Sequence, residues 1–201
     1  MEFRGQGRVE GVVLDTGELL PCDIVVIGVG VTPDVGFLEG SGLTLDNGIV
    51  VDEHLQTNVH GVFAAGDVAN FWDPVFEKRR RVEHWDTAKQ HGRLAARNML
   101  DLNEPYGAIS YFFSDVFDVS FDFVGDAEGS DQTALRGEPH ARSFAVFYLS
   151  KGQLRAAFLL GRTTGERRAA EALIKKKVDL SGALSRLEDP ALHLAELVPS
   201  S

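Results

Sequence analysis

A single cysteine, Cys22, stands in a chain of 201 residues. One thiol cannot close an internal disulfide, form a CxxC redox pair or build a cysteine-rich zinc site, and it fits a reducing compartment. Excess positive charge is lacking as well: 20 Lys and Arg face 30 Asp and Glu, for a formal net charge of −10. Nucleic acid is thereby excluded as the main partner, because binding phosphates needs a basic footprint. No apolar run approaches the roughly 18 residues of a membrane-spanning helix, and the opening Met1–Glu10 has no apolar signal core. The expectation is a soluble, unexported, cytoplasmic chain with no membrane partner. Metal motifs are missing too. Of six histidines none makes an HxxxH or HExxH pair, and His54 and His60 fall in different turns of a loop. Gly161-Arg162-Thr163-Thr164-Gly165 lacks the Lys-Ser/Thr of a phosphate loop, and no GxGxxG occurs anywhere. What remains is 44% hydrophobic and 25% charged, a globular composition long enough for one ordinary domain or two small ones.

The hydrophobic pattern divides the chain. Val9, Val12, Val13 and Leu14 lead into Asp15-Thr16-Gly17, and Leu19-Leu20 and Ile24-Val25-Val26-Ile27 follow. This predicts a small β-meander over 8–27 whose last strand is apolar enough to be buried on both faces. That strand ends in Gly28-Val29-Gly30-Val31-Thr32-Pro33, a crossover where backbone can approach a ligand or change domain. A short strand is expected at Gly48–Asp52, and a second apolar strand runs through Phe63 into Gly66-Asp67. A carboxylate just past a strand's end lies where open α/β sheets place their ligands, or else caps a helix. Residues 71–86 read as a polar aromatic loop, with Lys78–Arg81 as a solvated basic run. Thr87 with Gln90 reads as a capping box opening a helix, with Ala88, Gly92, Ala95, Met99 and Leu102 as its inner stripe and an end near Asn103-Glu104-Pro105.

From residue 109 the period becomes two. Phe117, Val119, Phe121 and Phe123 alternate with polar residues, the pattern of a half-buried antiparallel strand. Phe144, Val146 and Tyr148, the turn Ser150-Lys151-Gly152, and Leu154, Ala156, Phe158 and Leu160 make a hairpin. Thr163 and Glu166 then cap a helix whose core stripe is Ala169, Ala170, Leu173 and Ile174, with Lys175–Lys177 toward solvent. A short helix and a polar tail complete the chain. The triplet Asp15-Thr16-Gly17 is also that of a dimeric aspartic protease, in which two carboxylates share a proton. The hairpin-turn reading is preferred, since the rest of the chain lacks an all-β pattern.

Taken together in order, particular residues go further. Gly30-x-x-Pro33, Gly48-Ile49-x-Val51-Asp52, Thr57-x5-Phe63-x-Ala65-Gly66-Asp67-x-Ala69 and Arg81-Val82-Glu83-His84-Trp85-x2-Ala88 resemble the C-terminal half of FAD-dependent pyridine-nucleotide oxidoreductases. Arg80–His84 and Tyr111-Phe112-Phe113-Ser114-Asp115 narrow the resemblance to apoptosis-inducing factor, monodehydroascorbate reductase and the ferredoxin reductases. The resemblance implies remnants of two dinucleotide-binding domains followed by an α+β C-terminal domain with an antiparallel sheet. Its divisions are 1–44 from the NAD domain, 45–104 as the second FAD segment and 105–201 as the C-terminal reductase domain. With both pyrophosphate fingerprints missing, the chain looks like a fragment of a protein about twice its length.

The same resemblance implies roles. Asp67 would accept a hydrogen bond from a ribityl hydroxyl of FAD, beside Gly66. Gly30 would let backbone lie against the nicotinamide of NAD(P)H, and Glu83 would accept from its carboxamide. His84 and Trp85 would line the isoalloxazine, with the following helix N-terminus beside the flavin N1/C2-oxygen edge. Phe113 stands where relatives place a Trp or Tyr over the flavin, keeping the stacking face without the hydrogen-bonding tip. Trp85 and Phe113 are the catalytic candidates. The implied activity passes hydride from NAD(P)H to flavin and electrons on to a small redox protein, a quinone or a small radical. The alternative for the isolated chain is a catalytically inactive module that dimerises or binds a partner without FAD.

Overall fold

The computed structural model describes residues 1–199, in two compact units, Met1–Thr32 and Pro33–Ser201. The first unit is an antiparallel three-stranded meander of β1 (Glu2–Arg4), β2 (Gly11–Val13) and β3 (Leu19–Pro21). Asp15-Thr16-Gly17 turns β2 into β3, with Leu14 N–H donating to Glu18 O at 2.9 Å and Gly17 N–H to Leu14 O at 3.0 Å. The triplet is a hairpin turn.

The expected buried strand at Ile24–Ile27 does not form. The segment is irregular, and Ile24 and Val26 are 80% and 92% exposed. A strand exists only through its neighbours' hydrogen bonds, and no described strand pairs with this one.

The second unit holds two cores. In the first, β4 (Ile49–Val50) runs parallel to β5 (Ala69–Asp73), which pairs antiparallel with β6 (Lys78–Arg80). Against them lies α1 (Trp85–Asn98), and Val51, Leu55, Ala69, Phe71, Val82, Ala95 and Tyr106 fill the space between. The loop expected over 71–86 is thus largely a hairpin. Its β character was hard to read because Asp73 on β5 and Arg80 on β6 are charged yet pair with each other at 3.2 Å in the interior. The strand expected at Phe63 reduces to a single bridge to Gln56. Nor is the basic run a solvated face: Lys78 pairs with Asp126 at 2.5 Å, Arg80 with the buried Asp73 at 3.2 Å, and Arg81 with Glu83 at 2.6 Å.

The helix begins earlier than expected. His84 is its N-cap, without a side-chain capping bond, and Thr87 is buried inside its first turn. Gln90 donates instead to Asp86 one turn back. The buried stripe is Thr87, His91, Ala95 and Asn98, rotated by about one residue from the expected one, so Gly92, Met99 and Leu102 face outward. Of the polar residues in this stripe, Asn98 is fully paired, while Thr87 Oγ1 and His91 Nε2 are buried with no hydrogen-bond partner among the described residues. Asn98 alone donates to His54 O and Glu104 O and accepts from Glu104 N–H, which also ends the helix five residues before Asn103.

The second core is a five-stranded antiparallel sheet in the order β7-β8-β11-β10-β9. Its strands are β7 (Tyr111–Val116), β8 (Val119–Gly125), β9 (Gln132–Glu138), β10 (Ser143–Ser150) and β11 (Gln153–Leu160). One face carries α2 (Thr164–Lys175), α3 (Leu184–Glu188) and the short 3-10 turn Leu194–Leu197. Thr163 and Glu166 form the expected capping box, and Ala169, Ala170, Leu173 and Ile174 are buried as expected. The two-residue turn Lys151-Gly152 has both φ angles positive, 49° and 76°, as a hairpin matching the right-handed strand twist requires. One expectation is corrected, and one question the sequence left open is decided. Phe117 lies in the β7–β8 turn at φ 55°. The β10 residues under the helices are Ala145, Phe147 and Leu149, whereas Phe144, Val146 and Tyr148 stand half-buried on the opposite face. Both faces are apolar here, so alternation alone does not say which one the helices cover.

Candidate flavin-binding site

The residues singled out in sequence assemble at the start of α1, with one exception. Glu83, His84, Trp85, Asp86, Tyr111, Phe112 and Phe113 line a cleft of about 410 Å³. Trp85 and Phe113 are 72% and 57% exposed, unusual for large aromatic residues in a folded chain, and they leave open ring faces beside the cleft. Lys89 places its ammonium 4.6 Å from the Trp85 ring centroid. Phe112, next to Phe113 on β7, points to the other face of the sheet and meets the His84 ring at 4.7 Å. Burial, aided by the Arg80 charge, holds His84 below its usual pKa against the pull of Asp67 and Glu83, so the ring is neutral near pH 7. Its Nδ1 is buried with no hydrogen-bond partner among the described residues.

Gly66 and Asp67 open the 3-10 turn Gly66–Val68 that joins the Ala64-Ala65 segment to β5. Gly66 has φ 77°, and a Cβ there would stand 3.3 Å from Ala88 Cβ. Glycine is required twice, for its left-handed backbone and for the close approach of α1. The Asp67 carboxylate is exposed, while its backbone carbonyl accepts from Arg81 Nη1 at 2.9 Å. The same guanidinium nitrogen pairs with Glu83 at 2.6 Å. Arg81 therefore ties the Asp67 turn to the residue that precedes the helix. The sequence pattern contained this arginine without disclosing its task, because Asp67 and Asn47, whose oxygens its guanidinium reaches, are brought to it by the fold. Tyr111 was likewise quoted without a role. Its hydroxyl donates to Asp122 at 2.7 Å and Arg167 lies 4.5 Å from its ring centroid; burial and the Asp122 bond push its pKa up to about 12.

Gly30 is the exception. It belongs to the Met1–Thr32 unit, with φ 84° and nothing within 4 Å of where a Cβ would stand.

Helix α1 meets the cleft with its first-turn N–H groups uncapped by any side chain, so its positive end is available to a ligand. An uncapped helix terminus, two exposed aromatic faces, an orphaned buried His84 nitrogen and an exposed carboxylate on a glycine turn together fit a flat, partly anionic cofactor with a polyol chain. Residues 1–92 match the pyridine nucleotide-disulphide oxidoreductase family and residues 111–198 the reductase C-terminal family. The chain is 36% identical over 164 residues to the 5,5'-dehydrodivanillate O-demethylase ferredoxin reductase subunit of Sphingobium sp., covering 81% of this chain and 40% of that one. It is 32% identical to peroxisomal monodehydroascorbate reductase 4 of Arabidopsis thaliana, over 99% of this chain and 41% of that one. The crystal structure of the ferredoxin reductase for the CYP199A2 system from Rhodopseudomonas palustris superposes with a TM-score of 0.88 at 32% identity, over 98% of this chain and 48% of that one. The chain thus spans less than half the length of these relatives. None of its described helices is long and apolar enough to cross a membrane.

Proposed function

We propose that this chain supplies the flavin-facing segment and C-terminal domain of an FAD-dependent NAD(P)H oxidoreductase that passes electrons to a small redox protein of the ferredoxin class. The observation that carries the reading is the convergence of Glu83, His84, Trp85 and Phe113 on one cleft at the uncapped start of α1. FAD, when bound, would supply acceptance of an electron pair from NAD(P)H and its onward delivery. The residues of the chain would do the rest. Asp67 would accept from a ribityl hydroxyl, and the first-turn N–H groups of α1 would stabilise negative charge at the flavin N1/C2-oxygen edge. Trp85 and Phe113 would cover the ring and exclude water. Glu83, oriented by Arg81, would accept from the nicotinamide carboxamide. The role of Gly30 against the nicotinamide rests on the sequence pattern alone. A quinone or small radical is the alternative acceptor, and a reducing, cytoplasmic setting is proposed from the lone thiol. Two separate cores, one within 49–106 and one built mainly from residues beyond 108, support dividing the chain near 104, with 1–44 and 45–104 before it.

A visible absorption spectrum of the purified chain with added FAD, followed by anaerobic NADH or NADPH, tests the reading. A retained flavin band that bleaches is expected, with Trp85→Ala and Phe113→Ala each weakening retention by about tenfold, the worth of one buried aromatic contact. The exposed run from Ile24 to Val31 favours a second reading for the isolated chain, a module that associates without holding FAD. Absence of any retained flavin, with a self-associated state in light scattering, would select it.

A further inference from the structure

The His91 imidazole is fully buried on α1, one turn past the start of the helix, and takes no part in the chemistry assigned above. It is clamped edge-on between Phe71 and Tyr106, at 4.7 and 4.5 Å between ring centroids and 85° and 88° between planes. The two perpendicular rings fix the imidazole plane, and Nδ1 accepts the backbone N–H of Gly66 at 3.4 Å. Gly66 has φ 77° and opens a 3-10 turn, outside the β-ladder. Left without an acceptor, a buried N–H would disfavour the conformation that presents Asp67.

We propose that His91 is a positioning residue: through its Nδ1 it sets the Gly66–Asp67 turn, and so the place of the Asp67 carboxylate. The second half of this statement rests on the flavin reading of Asp67; the first does not. His91 then holds the turn from the helix side while Arg81 holds it at the Asp67 carbonyl. Its Nε2 is itself buried with no hydrogen-bond partner among the described residues, so the Nδ1 contact is the one polar bond the ring makes there. Because Nδ1 must keep its lone pair, the neutral tautomer carries its proton on Nε2. Burial without a charged neighbour supports this, lowering the His91 pKa to about 4.

Amide hydrogen exchange and nitrogen-15 NMR on the 201-residue chain test the first half without any cofactor. The expected wild-type result is a protected Gly66 amide and a His91 ring protonated at Nε2. His91→Asn, which puts an oxygen where Nδ1 was, should keep Gly66 protection within about threefold. His91→Phe, which keeps the ring and loses the acceptor, should speed Gly66 exchange by about tenfold, the worth of one buried hydrogen bond. If the Phe variant does not fold, His91→Gln, whose amide reaches the Nε2 position instead, takes its place. Equal Gly66 exchange in wild type and the acceptor-less variant, or a ring protonated at Nδ1, would overturn the proposal. FAD retention by the same proteins tests the second half, with a loss of about tenfold expected for Phe or Gln and near wild-type retention for Asn. Gly66 exchange that responds while FAD retention does not, or a chain that retains no FAD, overturns the flavin role of Asp67 and leaves the turn-setting role to the exchange result.

Discussion

At the scale of residues, the chain buries polar side chains where it needs direction as well as cohesion. His91 shows the consequence for stability. Its pKa falls from 6.5 to about 4 by burial, so between these values the unfolded chain binds a proton that the native chain refuses. The contribution is complete above pH 6.5 and is lost as pH falls toward 4. By linkage the native state should lose about 2 kcal/mol between pH 7.5 and pH 5 from this group. Urea unfolding at the two pH values checks this, and in His91→Asn the loss should shrink to what the other groups supply. His84, also held low by burial, acts in the same direction. Asp73, raised by burial against the pull of Arg80, acts in the opposite one, and both persist in the Asn variant. Legibility at this scale was uneven. Asp67, Glu83, His84, Trp85 and Phe113 could be read from their order along the chain. Arg81 and His91 could not, because what defines them is a backbone carbonyl and a backbone N–H that lie 14 and 25 residues away.

At the scale of elements, β9 and the C-terminal segment are joined by one guanidinium. Arg136 is 2% exposed and donates to Glu166 at 2.9 Å and to the carbonyls of Leu187 and Asp189 at 3.2 and 2.5 Å, with a further bond to Leu192. Replacing it with Met should destabilise the chain by about 3 kcal/mol, because the carbonyls and part of the Glu166 charge lose their partner while remaining buried. Thermal unfolding measures this, and faster amide exchange over 184–197 should localise it. Thr163→Ala removes half of the capping box of α2 and should cost about 1 kcal/mol, read from the urea midpoint at unchanged slope. That box was legible because its two residues lie three apart and need nothing else. β9 was not, since its inward positions are Ala134 and Arg136, and an arginine directed into the interior breaks the apolar alternation by which a strand is recognised.

At the scale of the whole molecule, the Met1–Thr32 unit leaves a run of large apolar residues uncovered. Ile24, Val26, Val29 and Val31 are 80%, 92%, 87% and 70% exposed, within an uncharged segment of high β propensity and without described strand partners. Such a segment pairs with another chain when it can. The isolated chain should therefore self-associate in light scattering at micromolar concentration, and the double variant Val26→Lys, Val29→Lys should shift it toward monomer. A monomeric wild type would show that the run is covered in solution by some other means. Neither substitution disturbs a regular element, so loss of association would not reflect unfolding.

Local signals determined much of this protein by themselves. The Asp-Thr-Gly hairpin, the Lys151-Gly152 turn and the α2 cap each depend on residues within four positions of one another, and the ordered motifs from Gly30 to Phe113 carried the family resemblance. Only the tertiary structure decided which side of the β10–β11 hairpin the helices cover, where α1 begins, whether Ile24–Ile27 becomes a strand, and what Arg81, His91 and Arg136 hold. The reason is common to all of them. Both faces of that hairpin are apolar, a strand needs a neighbour to supply its hydrogen bonds, and a buried polar side chain takes its meaning from partners far along the chain that folding alone brings within reach.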